Sequence, residues 1–253
     1  MINAALVDTG GAACHFAPSY LVKGPQPLQL PAACMRIACL TALAAVGAGC
    51  ALQTKPVARQ GATVVVEPPL KSEAWMQIAT AADESRISRL GLAWQQALSD
   101  AKPGFAGEIR KEGVLLDPRG ALPRPAPTPG SYNCRLIKLG KTSAKAVAFE
   151  RFKPFFCYVQ VEDDLLTIVK QTGSQRPAGR LWEDDQPDRL VFLGSLALGD
   201  QQPPLAYGDE PKRDMAGVLE RIAPFRWRLV IPWPQGTSKL DVFELTPVAD
   251  QPK

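Results

Sequence analysis

One short polar segment holds the side chains best suited to binding a ligand. It combines an ammonium, two hydroxyls, an amide and a guanidinium, on Lys170, Thr172, Ser174, Gln175 and Arg176. Such groups donate hydrogen bonds to carboxylate and carbonyl oxygens, and a guanidinium holds a carboxylate through two parallel bonds. We therefore expect a strand to end here in a polar loop at the mouth of a barrel. The alternative is a hairpin whose side chains bond to its own backbone.

Two groups of carboxylates are the other candidates for chemistry. One is the pair Asp163 and Asp164, and the other is the run Glu183, Asp184 and Asp185. A glycosidase needs two carboxyl groups that converge across a cleft. Both groups are flanked by residues typical of hairpin turns, which favours solvated turn tips over a catalytic pair.

An N-terminal targeting signal precedes the part of the chain that is expected to fold. Met35 and Arg36 are followed by the uncharged, Ala- and Leu-rich run Ile37–Val46 and by small residues before Cys50. That order is the layout of a secretory signal, and the apolar run is shorter than the ~20 residues of a spanning helix. The small residues before the cysteine resemble a bacterial lipoprotein signal, which implies lipidation of Cys50.

Two alternatives to lipidation remain open. Gly47 stands where an aliphatic residue is usual in that pattern, so cleavage as an ordinary secreted protein is one of them. A buried Ala-rich helix is the other. Residues 1–34 show no sustained hydrophobic period, and we expect them to be a disordered extension upstream of the true start. We expect residues 35–49 to be the signal peptide and residues 50–71 to be a tether.

Processing would leave a domain with little catalytic potential of the common kinds. The sole histidine of the 253 residues, His15, would be lost, which excludes Ser-His-Asp catalysis, Cys-His catalysis and His-based metal sites. Of the six cysteines, Cys134 and Cys157 would remain beside the anchor, and a disulfide between them suits an oxidising compartment. Two buried thiols are the alternative. No metal or other cofactor is expected, and the net charge of +4 gives no sign of nucleic-acid binding.

A helical segment and a proline-rich loop are expected over 72–130. Thr80 is a possible cap before Asp83 and Glu84, and the apolar residues from Ile87 to Leu98 recur on one helical face. Pro103 and Gly104 are expected to end this run, and a second short helix is expected over residues 106–112.

From residue 131 to the end, the pattern changes to the two-residue period of β-strands. About eight short strands separated by turns predict an antiparallel meander that closes into a barrel. They are expected at Ser131–Leu139, Phe155–Glu162, Leu165–Thr172, Ala178–Trp182, Arg189–Leu193, Met215–Ile222, Phe225–Ile231 and Leu240–Thr246. In the seventh strand Phe225 and Trp227 face the core, whereas Arg226 and Arg228 face solvent. The fold class is α+β, with the helical segment packed on the barrel as one unit.

Several strings of residues together resemble a known bacterial family. They include EIRKEGVLLD at 108–117, GSYNCRLIKLG at 130–140, TGSQRP at 172–177 and DMAGVLERIAPFRWRLVIP at 214–232. The chain resembles the domain of unknown function numbered 4893, whose members look like exported proteins of Gram-negative bacteria. That resemblance implies no activity. The start of the first strand is also loosely similar to small calycin-type barrels.

These observations favour a non-enzymatic binding or interaction protein of the cell envelope. We expect it on the periplasmic side, lipid-anchored to the outer membrane through Cys50, with a small ligand or an envelope protein as partner. A calycin-like protease inhibitor and an envelope hydrolase that uses carboxylates alone are the alternatives. The three roles need different structures. A carrier of apolar ligands needs a barrel cavity of a few hundred Å³, and an inhibitor needs a filled barrel with an exposed arm. A hydrolase needs two acidic side chains that converge in one cleft.

Overall fold

A layer of helices precedes the sheet. The computed structural model describes residues 68–173, 175–199, 204–236 and 238–249. The predictions for residues 1–34, 35–49 and Cys50, most of the tether and Ser174 lie outside the described residues. The helices are α1 (Ser72–Met76), α2 (Ala81–Ser88), α3 (Leu90–Glu112) and a 3₁₀ turn (Gly113–Leu116).

The strands follow as one antiparallel meander. They are β1 (Gly130–Leu139), β2 (Phe149–Arg151), β3 (Phe155–Glu162), β4 (Leu165–Lys170), β5 (Gln175–Glu183), β6 (Arg189–Leu198), β7 (Asp214–Ala223), β8 (Arg226–Pro232) and β9 (Leu240–Pro247). Each of the strands β3 to β8 pairs with the next one along the chain.

Pairing of the first strand with the last closes the sheet into a barrel. Strand β9 pairs with β1 from Tyr132 to Leu139. On its other side, β1 pairs with β3 through its first half and with β2 through its last residues. Strands β2 and β3 therefore share one of the eight positions around the barrel, and closure leaves no long unpaired edge.

The two faces of the barrel wall belong to separate apolar cores. Alternate residues of each strand point inward, and they form a core around Tyr132, Phe192 and Leu229. The outward residues of β1 and of β6 to β9 pack against the helices, where Trp75 and Trp94 are buried as core residues. The helical layer thus covers one side of the barrel and gives its outer face a second core.

Arg228 joins the two layers from a position with no solvent exposure. Its guanidinium donates hydrogen bonds to the carbonyls of Leu115 (3.0 Å) and Asp117 (2.6 Å) and ion-pairs with Glu220 (2.6 Å). It also lies 4.9 Å from the ring centroid of Trp94. Carbonyls at the end of a helix lack intrahelical partners, so the cation satisfies them and complements the helix dipole.

The predicted α+β barrel is confirmed, with differences at particular residues. All eight predicted strands are present, and the short β2 is the strand that was missed. The predicted end of the long helix at Pro103 and Gly104 and the second short helix after it are confirmed to within one residue, because α3 consists of two helices that meet at a kink at Phe105, where the backbone is non-helical. Arg228 was wrongly assigned to solvent. Phe225, expected in the core, lies in the turn before β8 and is exposed.

The predicted disulfide is confirmed inside the barrel. Cys134 on β1 and Cys157 on β3 are bonded, with their Cα atoms 5.9 Å apart. Tyr132 stands directly opposite Cys157, so the two cysteines are diagonal neighbours on adjacent strands. Both are buried in the inner core, where the bond ties the first strand to the third.

Loss of the buried cation should destabilise the fold strongly. Arg228→Met leaves Glu220 buried without its partner, and we expect the free energy of unfolding to fall by about 3–5 kcal/mol in urea denaturation. Adding Glu220→Gln should recover part of that loss. The control Arg226→Met removes a partly exposed cation, and its partner Glu244 keeps the ion pair with Arg135, so the variant should cost less than about 1 kcal/mol. Equal losses in both single variants would contradict this account of Arg228.

Reduction of the disulfide should lower stability without abolishing the barrel. The bond spans a sequence separation of 23, and the chain-entropy estimate for such a loop is about 3 kcal/mol. We expect the Cys134→Ser, Cys157→Ser double variant to lose about that much in urea denaturation. Intact mass before and after reductant should differ by two hydrogens, and free thiols in the native protein would show that the bond is absent.

Candidate functional site

A small cavity opens at one end of the barrel. It lies where β1, β4, β6 and β8 end and where β5, β7 and β9 begin, because alternate strands of a meander share each end. Its volume is about 150 Å³. The inward residues of these strand ends therefore meet around one space, closed on the outside by the segments around Arg213 and Gln235.

The lower wall of the cavity is apolar. It consists of the inward side chains Leu136, Pro177, Met215, Ile231 and Phe243. Beneath them the barrel is filled by packed side chains, and a neighbouring void around Phe192 measures about 10 Å³. The interior is therefore a packed core with a shallow cavity at its end, in keeping with the small lumen of an eight-stranded barrel.

Lys170 supplies a cation that has no carboxylate partner among the described residues. Its Nζ lies 4.2 Å from the ring centroid of Phe155. Burial lowers the pKa of Lys170, and the nearby Arg176 lowers it further. A lowered pKa means that the folded protein disfavours the ammonium form. A bound anion would supply the missing countercharge.

Lys138 and Asp241 form a second charged group on the cavity wall. Their closest charged atoms are 3.9 Å apart, and Ser238 Oγ donates a hydrogen bond of 2.5 Å to the carboxylate of Asp241. Burial raises the pKa of Asp241 against the opposing effects of Lys138 and Ser238. The pair is loose enough for the Lys138 ammonium to share its charge with a ligand.

Asp214 and Arg86 complete the wall beside helix α2. Gly208 N donates to Asp214 Oδ1 at 3.0 Å, whereas Asp214 Oδ2 is buried with no partner among the described residues. Burial raises the pKa of Asp214. Arg86 ion-pairs with the buried Asp83, which also accepts a hydrogen bond of 2.5 Å from Tyr207.

Positive charge exceeds negative charge around the cavity. The cations on its wall are Arg86, Lys138, Lys170, Lys212 and Arg213, and the anions are Asp214 and Asp241. Arg86 and Arg213 are ion-paired with Asp83 and Glu210, so three lysines against two aspartates leave a small positive excess. An excess of one sign in a concave, partly apolar site attracts ligands of the opposite sign. The site is therefore suited to a small anion with an apolar body.

Of the four described residues predicted from the polar segment, the structure brings two together at the cavity. Lys170 and Gln175 both line the cavity, from the end of β4 and the start of β5. Thr172 is exposed in the connection and does not line it. Placing Arg176 in a loop was wrong: it lies within β5, where its buried guanidinium donates to the carbonyls of Gly173 and Gly199. The side chain of Arg176 points away from the barrel interior, so it bonds to neighbouring loop carbonyls and does not reach the cavity.

In the predicted acidic turn, Glu183 and Asp185 are exposed as expected, whereas Asp184 between them is not. Asp184 is buried and accepts hydrogen bonds from Trp75 Nε1 (3.2 Å) and Arg189 (2.5 Å). Asp185 accepts from Lys71 N (2.9 Å) and from Ser72 Oγ at the start of α1. Glu183 pairs with Lys71 at 3.0 Å. The run thus anchors helix α1, while Asp163 is the exposed turn residue expected.

Sequence reasoning missed the charged residues that the barrel closure brings to the cavity. Lys138, Asp214 and Asp241 stand at strand ends far apart in the chain. Their one signal was a charged residue at the end of each alternating run, at an inward position for Lys138 and Asp241 and at an outward position, on the helix side, for Asp214. Without the register of β1 on β9, that signal does not show that they share one site.

In the parts of the chain that the structure describes, no three His, Cys, Asp or Glu side chains are grouped as metal ligands. Within those same parts, no helix combines the length and the apolar character needed to cross a bilayer.

Fold and site together define a small closed barrel with a helical layer on one side and a cationic cavity at one end. The family model described as "Domain of unknown function (DUF4893)" matches residues 75–245, and the chain belongs to this family. The match covers helices and barrel alike, including both cysteines and the cavity. No curated protein and no solved structure matched the chain.

The buried Asp241 should make stability depend on pH in a recognisable direction. A carboxyl group whose folded pKa is raised stabilises the fold below its unfolded pKa of about 4, and this contribution is lost as pH rises through the folded pKa. We expect Asp241→Asn to remove that loss, so that the stability of the variant relative to wild type increases from acid to neutral pH in urea titrations.

Asp100 provides a control of opposite sign. A hydrogen bond from Lys239 lowers its pKa, and the backbone N–H of Lys141 lowers it further. Its contribution is therefore present above the unfolded pKa and lost as pH falls through the folded one. Asp100→Asn should thus lose stability relative to wild type at neutral pH and approach it in acid. The same pH trend in both variants would refute the assignment for Asp241.

Proposed function

We propose that the protein is a binding module for small carboxylates, which bind in the cavity at the open end of the barrel. The observation that carries this proposal is the Lys170 ammonium, which lines a partly apolar cavity without a carboxylate partner among the described residues. A ligand carboxylate would ion-pair with Lys170 and accept a hydrogen bond from the Gln175 amide. Its apolar body would rest on Met215 and Phe243.

The size of the cavity selects among possible ligands. At about 150 Å³ it is below the few hundred Å³ expected of a carrier for large apolar molecules. An apolar cavity of about this size is known to hold a benzene ring. The ligand class is therefore a monocarboxylate with a single ring or a short branched chain, whose charged end faces the lysines.

Export to the cell envelope is part of the proposal. The positive, apolar and small-residue order from Met35 to Cys50 supports a lipoprotein on the periplasmic side of the outer membrane. The disulfide between Cys134 and Cys157 agrees with an oxidising compartment. A lipid anchor on Cys50 would place the binding module at a membrane surface.

The alternative roles have less support. A protease inhibitor needs an exposed extended arm, and the residues before 68 lie outside the described part of the chain. A hydrolase needs two free converging acids. The acidic run Glu183–Asp185 anchors helix α1 instead, and Asp214 and Asp241 each already accept a hydrogen bond.

Benzoate is a suitable probe for the barrel-mouth site. We expect saturable binding by isothermal titration calorimetry, with affinity reduced about ten-fold or more in Lys170→Met, because one charge-assisted bond contributes about 1.5–3 kcal/mol. Binding should weaken as pH rises through the lowered pKa of Lys170, since the ammonium is then lost.

Two controls separate this site from general attraction of anions. Lys102→Met removes an exposed charge on α3, outside the cavity, and should leave the benzoate affinity unchanged. Benzyl alcohol, which keeps the ring but not the charge, should bind much more weakly. Equal loss in the Lys102 and Lys170 variants, or no benzoate binding at all, would refute the proposal.

Anchoring is tested separately through Cys50. In cells, the wild-type chain should sediment with the membrane fraction and carry acyl groups by mass spectrometry, whereas Cys50→Ser should leave that fraction. Cys134→Ser serves as the matched cysteine control and should stay in the membrane fraction. A wild-type product without acylation would contradict the lipoprotein assignment while leaving the binding proposal untouched.

A further inference from the structure

A second and larger concavity lies on the outer face of the barrel, away from the carboxylate site. Its floor is formed by β4 and β5, and its walls by β3 on one side and by Ile78 and the segment 204–207 on the other. Its volume is about 680 Å³, within the range of about 300–1,000 Å³ typical of ligand sites. No residue named in the proposed function lines this groove.

Two buried polar atoms on the groove lack partners. Thr167 lines the floor with 3% of its surface exposed, and its Oγ1 has no hydrogen-bond partner among the described residues. The indole N–H of Trp182, on the next strand, is likewise buried without a partner there. Buried polar groups in proteins are nearly always hydrogen-bonded, so these two atoms beside one groove offer hydrogen bonds that a ligand could complete.

Three aromatic rings line the same groove. Tyr158 and Trp182 stand on the outward faces of β3 and β5, and Tyr207 stands opposite them. The Tyr207 hydroxyl donates to Asp83 (2.5 Å) and accepts from Thr80 N (3.0 Å), which fixes its ring before any ligand arrives. Rigid rings offer apolar faces at a low entropic cost on binding.

The charges on the groove compensate each other. Arg180 lies 3.3 Å from Asp163 and 3.9 Å from Glu162. Besides the hydroxyls and the indole N–H already described, Gln160 and Gln171 supply polar groups, and both are neutral amides. A groove of this kind favours an uncharged ligand that carries many hydrogen-bonding groups.

Strand pairing argues against an extended peptide as the ligand. Strand β4 pairs with β3 along its whole length and with β5 from Leu166 to Val169, while β5 pairs with β6 throughout. The floor therefore presents no free strand edge on which a peptide backbone adds as another strand. Side chains alone would have to recognise the ligand.

We propose that this groove binds a neutral oligosaccharide. The apolar C–H faces of pyranose rings would stack on Trp182 and Tyr158. Ring hydroxyls would pair with Thr167 Oγ1, the Trp182 N–H and the amides of Gln160 and Gln171. This combination satisfies the orphaned polar atoms and uses the rings without requiring a ligand charge.

The test uses cellotriose and tri-N-acetylchitotriose as probes with the full chain. Titration monitored by ¹⁵N NMR and tryptophan fluorescence should show saturable binding of at least one of them, with shifts confined to the groove strands. Trp182→Leu should weaken it about ten-fold or more, as expected for a central aromatic contact. Phe225→Leu, which removes an exposed ring elsewhere, should have no effect.

Thr167→Val keeps the proposal testable if the Trp182 variant fails to fold. Valine has nearly the shape of threonine, so loss of an unpaired hydroxyl should leave stability unchanged or raise it. If the hydroxyl meets a sugar, the same variant should bind the responding trisaccharide several-fold more weakly, whereas Thr172→Val, outside the groove, should not. Wild-type binding retained in Thr167→Val would overturn the assigned contact.

Two further outcomes would overturn the proposal as a whole. One is the absence of groove shifts with either trisaccharide at millimolar concentration. The other is a groove that responds to acetyl-trialanine amide, an uncharged peptide, and to neither sugar. Benzoate added in a parallel titration should move resonances at the barrel mouth instead, so failure here is distinguishable from failure of the carboxylate site.

Discussion

The buried guanidinium of Arg228 is the interaction on which the two-layer structure depends. The carbonyls of Leu115 and Asp117 lie at the end of the helical layer and have no intrahelical partners, and Leu115 is fully buried. One cation from β8 meets them, and Glu220 on the neighbouring strand balances its charge. Because an isolated buried charge is very costly, this network forms as a whole or fails as a whole. It therefore fixes the position of the helices on the barrel as well as their attachment.

A packed barrel determines where ligands can bind. Tyr132, Phe192 and the disulfide fill the lumen, so any open space lies at the end of the barrel or on its outer face. Charged side chains reach the end because inward positions beyond the last packed layer border solvent. The helices cover one side of the outer face, and the groove over β4 and β5 lies beside that cover. Both candidate sites thus follow from the same filled core and one-sided helical layer.

The local alternation of apolar and polar residues allowed the strands to be predicted. The buried charges were missed because they depend on tertiary packing. Alternation in Phe155–Glu162 and the acidic turn at Asp163 are local properties, as is the Thr80 cap, which accepts from Asp83 N. Arg228 has the parity of an outward residue, but parity does not reveal that helices cover that side. The same limit applies to Asp184, whose partner Trp75 is remote in the chain. The charged wall of the cavity needs the barrel register, which no single strand contains.

The pairing of β1 with β9 has a consequence for the order of folding. The strand that begins the barrel has to wait for the last strand of the chain before its second edge is paired. Contacts so distant in sequence close late and slow the reaction, since the loop entropy is lost before the contacts form. Until then β1 presents an open edge that invites pairing with another chain. The disulfide to β3 joins β1 to a nearby strand, so it can hold the first part of the sheet together during that delay.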